Sequence, residues 1–103
     1  MCPMQVAVKI IGGKWKPVIL YHLADGTLRF GVLHRSIDDI TQRMLTLQLR
    51  ELERDGLLAR RVYAQVPPRV EYSLTKAGEE MVTALRPLAD WGLRHIATQP
   101  ATA

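Results

Sequence analysis

Apolar residues recur at helical spacing along most of the chain, and at alternate positions in a stretch that begins after residue 57. Val6, Ala7 and Ile10 share one face of a predicted first helix. Pro3 opens it, where a missing N–H costs least, and Gly12-Gly13 stop it. Val18, Ile19, Leu20 and Leu23 predict a second helix with Pro17 near its first turn, closed by an Asp25-Gly26 turn. Residues 27–30 read as a short extended segment. A third helix is expected over 31–37, packing Val32, Leu33 and Ile37, and Asp38-Asp39-Ile40 makes a tight connection to a fourth. Thr41 is the natural N-cap of that fourth helix and Gly56 its left-handed end. Leu45, Leu49 and Leu52 recur at i, i+4 and i+7 and so face the core. Arg43, Thr46, Leu47, Arg50 and Arg54 point away from that stripe, with Gln42 at its edge.

The pattern then changes period. Residues 58–63 and 69–74 are rich in β-branched and aromatic residues, and Val70, Tyr72 and Leu74 alternate with Arg69, Glu71 and Ser73. They predict a hairpin whose tip, Gln65-Val66-Pro67-Pro68, is stiffened by two prolines that cannot extend the ladder. Thr75 caps a long last helix carrying Met81, Val82, Leu85, Leu88 and Trp91, with Pro87 expected to kink it. Residues 98–103 read as a flexible tail, leaving 1–97 as one domain. The fold class is mainly α with a small β-hairpin (α+β). The order, three helices, a tight turn, an amphipathic helix, a two-stranded hairpin and a final helix, is that of a winged helix-turn-helix.

Charge sharpens this picture. The net charge is +4 and the pI about 9.6, which permits a polyanionic partner without requiring one. Its placement says more. Residues 41–50 hold Arg43 and Arg50, and residues 56–70 hold Arg60, Arg61 and Arg69, with no acid in either stretch. Hydrophobic residues at 48% and charged residues at 23% are ordinary for a globular chain and wrong for a disordered one. No apolar run is long enough to cross a bilayer, and Met1 to Lys9 lack the form of a signal peptide, so no membrane role is expected. The single Cys2 fits a reducing, cytoplasmic setting, and His22, His34 and His95 show no metal-ligand spacing. Neither a nucleophile elbow nor a glycine-rich phosphate loop is present, so neither catalysis nor a cofactor is expected.

In wording as well as order, the chain resembles the HxlR family of winged-helix regulators, relatives of the MarR group. The matching segments are Cys2-Pro3, Ile11-Gly12-Gly13-Lys14-Trp15-Lys16, Leu28-Arg29-Phe30 with Leu33, Leu45 to Leu57, Pro67 to Thr75 with Gly78, and Trp91-Gly92. The resemblance implies a homodimeric transcription regulator whose subunits pair through their terminal helices. In some family members a cysteine matching Cys2 senses oxidants or electrophiles.

Thr41, Gln42, Arg43, Thr46, Leu47 and Arg50 are the expected reading surface, because a major groove admits one helix and its first turns reach the base edges. Arg43 suits guanine, Gln42 adenine, Thr46 a thymine methyl, and Arg50 a phosphate. Arg61 and Arg69, with Arg60, are the expected wing contacts to backbone or minor groove. Lys14 and Lys16, beside Trp15, either touch phosphate or sit solvated. Val6, Ile10, Met81, Leu85, Leu88 and Trp91 are expected at a dimer interface, since the first and last helices carry more apolar surface than a small core can cover. Cys2, at a helix N-terminus, is either an oxidant sensor or incidental. The partners expected are a pseudo-palindromic duplex operator, a second copy of the chain, and an unidentified small-molecule or oxidant effector. The rival reading is a winged helix used for protein–protein assembly without specific DNA binding.

Overall fold

The helix signals are realised within a residue or so of their expected bounds. The computed structural model describes residues 2–98; the expected tail lies, from residue 99 on, outside the described residues. The order is α1 (Pro3–Ile11), α2 (Lys16–His22), β1 (Leu28–Arg29), α3 (Phe30–Ser36), α4 (Gln42–Arg54), β2 (Leu58–Tyr63), β3 (Arg69–Leu74) and α5 (Lys76–Thr98). The strands form an antiparallel sheet in the order β1-β3-β2, so the short extended segment before α3 supplies a third strand. Leu28 pairs with Tyr72, and β2 pairs with β3 from Leu58–Leu74 to Tyr63–Arg69. Helix α5 continues through Pro87.

One core joins these elements. Ile19, Leu20 and Leu23 of the α2 region, Leu33 of α3 and the Leu45, Leu49 and Leu52 stripe of α4 are essentially inaccessible. Leu58 and Tyr72 close it from the sheet, Val82 and Leu85 from α5. Val32, expected in the core, is exposed, because Leu33 and Ile37 already fill the inward face of α3. The α3–α4 turn passes through Asp39 at φ 67°, a left-handed conformation that a short polar side chain tolerates. The His34 ring nitrogen Nε2 lies 2.9 Å from the Ile40 carbonyl and donates to it, tying the end of this turn to α3. Thr41 Oγ1 then accepts from the Met44 N–H at 3.0 Å and starts α4.

Lys16 corrects the expectation of a solvated or DNA-facing lysine. It is buried, with Nζ 2.7 Å from Glu51 Oε1, and so fastens α2 to the recognition-helix candidate α4. A buried ammonium needs such a partner. The hydrogen bond and charge of Lys16 hold the Glu51 carboxyl below its usual value of 4.5. The unfolded chain therefore binds more protons in the acid range. The pair's contribution is full above 4.5 and is lost as the pH falls through the lower folded value. Glu51→Gln is expected to melt below the parent at pH 7, with the gap narrowing steadily in melts recorded below pH 4.5. A gap independent of pH would mean that the ionic contact contributes nothing.

Candidate nucleic-acid interface

With Leu45, Leu49 and Leu52 committed to the core, the opposite side of α4 is free. Thr41, Gln42, Arg43, Met44, Thr46, Leu47 and Arg50 line one continuous surface there. Leu47 is 47% exposed. Thr46 Oγ1 donates to the Gln42 carbonyl at 2.9 Å, so its hydroxyl is occupied within the helix. Among the described residues, neither Arg43 nor Arg50 has an ion-pair or hydrogen-bond partner. Two unpaired guanidinium groups beside an exposed leucine make a surface suited to an anionic partner that also offers apolar contact, as a base-pair edge with a thymine methyl does.

Gln42 and Thr46 also line a trough shared with Arg29 and Phe30 on one side and with Arg60, Gln65, Pro67, Pro68 and Arg69 of the hairpin on the other. The hairpin therefore stands beside the first turns of α4 as a wing. Its arginines differ from expectation. Arg60 Nε lies 3.4 Å from Glu53 and Arg69 Nε 3.6 Å from Glu71. The Arg69 guanidinium also stacks over the Tyr63 ring at 3.9 Å, and Tyr63 in turn donates its hydroxyl to Glu71 at 2.9 Å. Arg69 thus serves to brace the wing, and only part of its side chain remains accessible. Arg61 is exposed, lies 4.8 Å from the centre of the Tyr63 ring, and faces Glu71 across the ladder. Of the three wing arginines it is, among the described residues, the one without an ion pair.

Arg29 was not among the expected site residues. It pairs in register with Glu71 at the sheet edge, is exposed, and lines the trough. The signal for it was weak: one arginine in a two-residue strand whose neighbours only the folded sheet supplies.

The expected interface residues divide. Val6, Leu88 and Trp91 are exposed, and Ile10 and Met81 are half-buried against the core. Leu85 is 7% exposed and belongs to the core of its own chain, which corrects its assignment to a subunit interface. Further apolar residues stand unpartnered: Met4 and Val8 on α1, Val18 and Tyr21 on α2, and Leu93 and Ile96 on α5. Between α2 and α5 a groove of about 240 Å³ is lined by Pro17, Val18, Tyr21, Leu85, Leu88 and Ala89. Helix α1 has no fully buried residue and touches the core only through Ile10 and Ile11. Cys2 is exposed at its N-cap, its N–H 3.4 Å from Gln5 Oε1. Lys16 is committed to Glu51, and Lys14 lies over the Trp15 ring at 4.6 Å. Among the described residues no cluster of three His, Cys, Asp or Glu is placed to hold a metal, and no helix is long and apolar enough to cross a membrane.

Comparison with known proteins places this geometry in context. The sequence profile of the HxlR-like helix-turn-helix family matches residues 10–100. The HTH-type transcriptional regulator YdeP of Bacillus subtilis is 54% identical over 94 residues, covering 91% of this chain and 73% of that protein. Among solved structures, the redox regulator HypR in its reduced form superposes with a TM-score of 0.86 at 49% identity, over 90% of this chain and 92% of its own. The reduced form of the transcriptional regulator YodB from B. subtilis superposes with a TM-score of 0.71 at 35% identity, over 91% and 89% of the two chains.

Proposed function

Because the chain belongs to the HxlR-like helix-turn-helix family of transcriptional regulators, and so is a regulator and not an enzyme, we propose that it acts as a homodimer on a pseudo-palindromic duplex operator. Each subunit lays the first turns of α4 in a major groove and its wing beside it. Two such helices about 34–36 Å apart meet successive grooves on one side of the duplex. The observation that carries the reading is the outer face of α4, where Arg43 and Arg50 stand exposed and unpaired beside Gln42, Thr46 and Leu47. Arg43 reads a base edge. Arg50, farther along, and Arg61 on the wing contact phosphate.

A response to oxidants at Cys2 forms part of the proposal. It is supported by an exposed thiol at the start of a helix with no fully buried residue, and by the likeness to the redox regulator HypR.

Selection of binding sites from random duplexes, with and without diamide, tests both. The selected duplex should bind with a steep salt dependence as counterions are released. Arg43→Ala should lose about 1–3 kcal/mol at a single base position, whereas Arg61→Ala should weaken every duplex alike and reduce the salt slope by about 1. Equal losses on selected and random DNA for both variants would defeat the assignment of base reading to Arg43. Little duplex affinity at physiological salt would favour the protein-assembly role instead. Diamide should change the affinity of the parent and leave Cys2→Ser unaffected; an identical response in both removes the sensor.

A further inference from the structure

Arg60 and Arg69 are held by carboxylates, so the farthest reach of the wing is not a charge. Val66, between β2 and β3, is 99% exposed, and Pro67 and Pro68 follow it. Fully exposed valine on a loose loop would carry little meaning, but this loop is braced. The Gln65 N–H donates to the Tyr63 carbonyl at 2.9 Å, and Tyr63 is gripped by Arg69 and Glu71. Pro67 and Pro68 line the trough that also holds Gln42 and Thr46, so the tip is continuous with the reading face. Arg61 on β2 is exposed and, among the described residues, has no ion pair, which leaves a cation for a phosphate beside an uncharged point.

Resting on the DNA-binding reading above, we infer that the Val66-Pro67-Pro68 tip seats in the minor groove next to the major groove entered by α4, and that it selects against guanine there. The minor-groove edges of all base pairs carry acceptors, and only G·C adds the guanine N2 amino donor, which projects from the groove floor. A valine or proline laid over that amino group strips its water and returns no acceptor, leaving a buried donor unsatisfied. Over A·T the groove floor is open and the same apolar contact is made without that penalty. The wing thereby reads sequence with a side chain that forms no hydrogen bond.

The test uses the full chain and a duplex recovered by selection. In the minor-groove segments flanking the α4 contact, 2,6-diaminopurine in place of adenine adds the amino group, and inosine in place of guanine removes it, with the major-groove hydrogen-bonding pattern unchanged. Diaminopurine should weaken the parent about tenfold, and inosine should relieve the handicap of a flanking G·C pair. Val66→Ser should bind the A·T-flanked duplex several-fold more weakly, roughly the loss of one valine's apolar contact, and should respond less to the added amino group. Since Val66 is 99% exposed and takes no part in the core, its variant should melt with the parent. Parent-like affinity in Val66→Ser would overturn the inference. So would an undiminished amino response in that variant, which would trace the effect to duplex shape. Failure of the parent to select any duplex would sink the DNA-binding reading and this inference with it, an outcome separable from the other two.

Discussion

A chain carrying Leu88→Glu and Trp91→Glu is expected to sediment as a folded monomer and to bind a two-half-site operator 10²–10⁴-fold more weakly than the parent, the range by which linking two sites raises avidity. The reasoning begins with surface that the subunit cannot cover. Leu88, Trp91, Leu93 and Ile96 on the distal part of α5 are each more than half exposed, as are Met4 and Val8 on α1. A chain of this size seldom leaves so much apolar surface to water unless another molecule takes it. A second copy is the occupant for which the rest of the proposal has a use, because a two-fold axis through these helices would present α4 twice. Neither substituted residue supports the subunit core, so folding should survive. Two carboxylates per subunit facing their copies across a closing seam should not be tolerated. Affinity for a single half-site should be nearly unchanged, since α4 and the wing are intact. If the doubly substituted chain remains a dimer, the seam lies elsewhere; if the parent is itself a monomer, the two-groove arrangement falls.

Legibility followed the range of the interactions. The bounds of β2 and β3, the Thr41 cap and the left-handed Gly56 were readable because each depends on residues a few positions apart. The outward face of α4 was readable for the same reason: one apolar stripe fixes the rest of the helix. Pairings across the fold were not. Lys16 and Glu51 meet only because α2 packs on α4, and nothing local distinguishes this lysine from Lys14, which is exposed. The Arg69–Glu71 contact had a local signal, since residues two apart on a strand share a face, and Tyr63 joins them once the hairpin register is set. Helix α5 defeated periodicity in another way. It turns apolar residues toward two directions, so the spacing of Val82, Leu85 and Leu88 could not separate Leu85, which fills the core, from Leu88, which stands exposed.

The second large effect is expected from a change of one methyl group. Gly78 lies in the first turn of α5 where that helix crosses the α4–β2 connection. A Cβ there would sit 2.1 Å from the Leu57 carbonyl oxygen and 3.2 Å from Leu74 Cδ2. The approach is close because three hydrogen bonds hold it. Thr75 N–H donates to the Leu57 carbonyl at 3.1 Å, Thr75 Oγ1 donates to the Gly56 carbonyl at 2.6 Å, and the Gly78 N–H donates to Thr75 Oγ1 at 3.2 Å. Alanine would normally be favoured in a helix by about 1 kcal/mol over glycine. Here the methyl meets backbone, which cannot swing aside, so α5 must lift and loosen those bonds together with the packing of Val82 and Leu85. Overpacking of this kind costs about 1–3 kcal/mol or more, and each loosened hydrogen bond adds about 1 kcal/mol. Destabilisation therefore wins, and Gly78→Ala should lower the melting temperature by roughly 10 °C or more. Gly31, in α3, supplies the contrast: its added Cβ would meet only the far end of the Arg35 side chain, at 3.3 Å. That guanidinium can move, so Gly31→Ala should leave the melting temperature unchanged or raise it. Equal melting temperatures for the two alanine variants would mean that α5 does not rest on the Leu57 carbonyl.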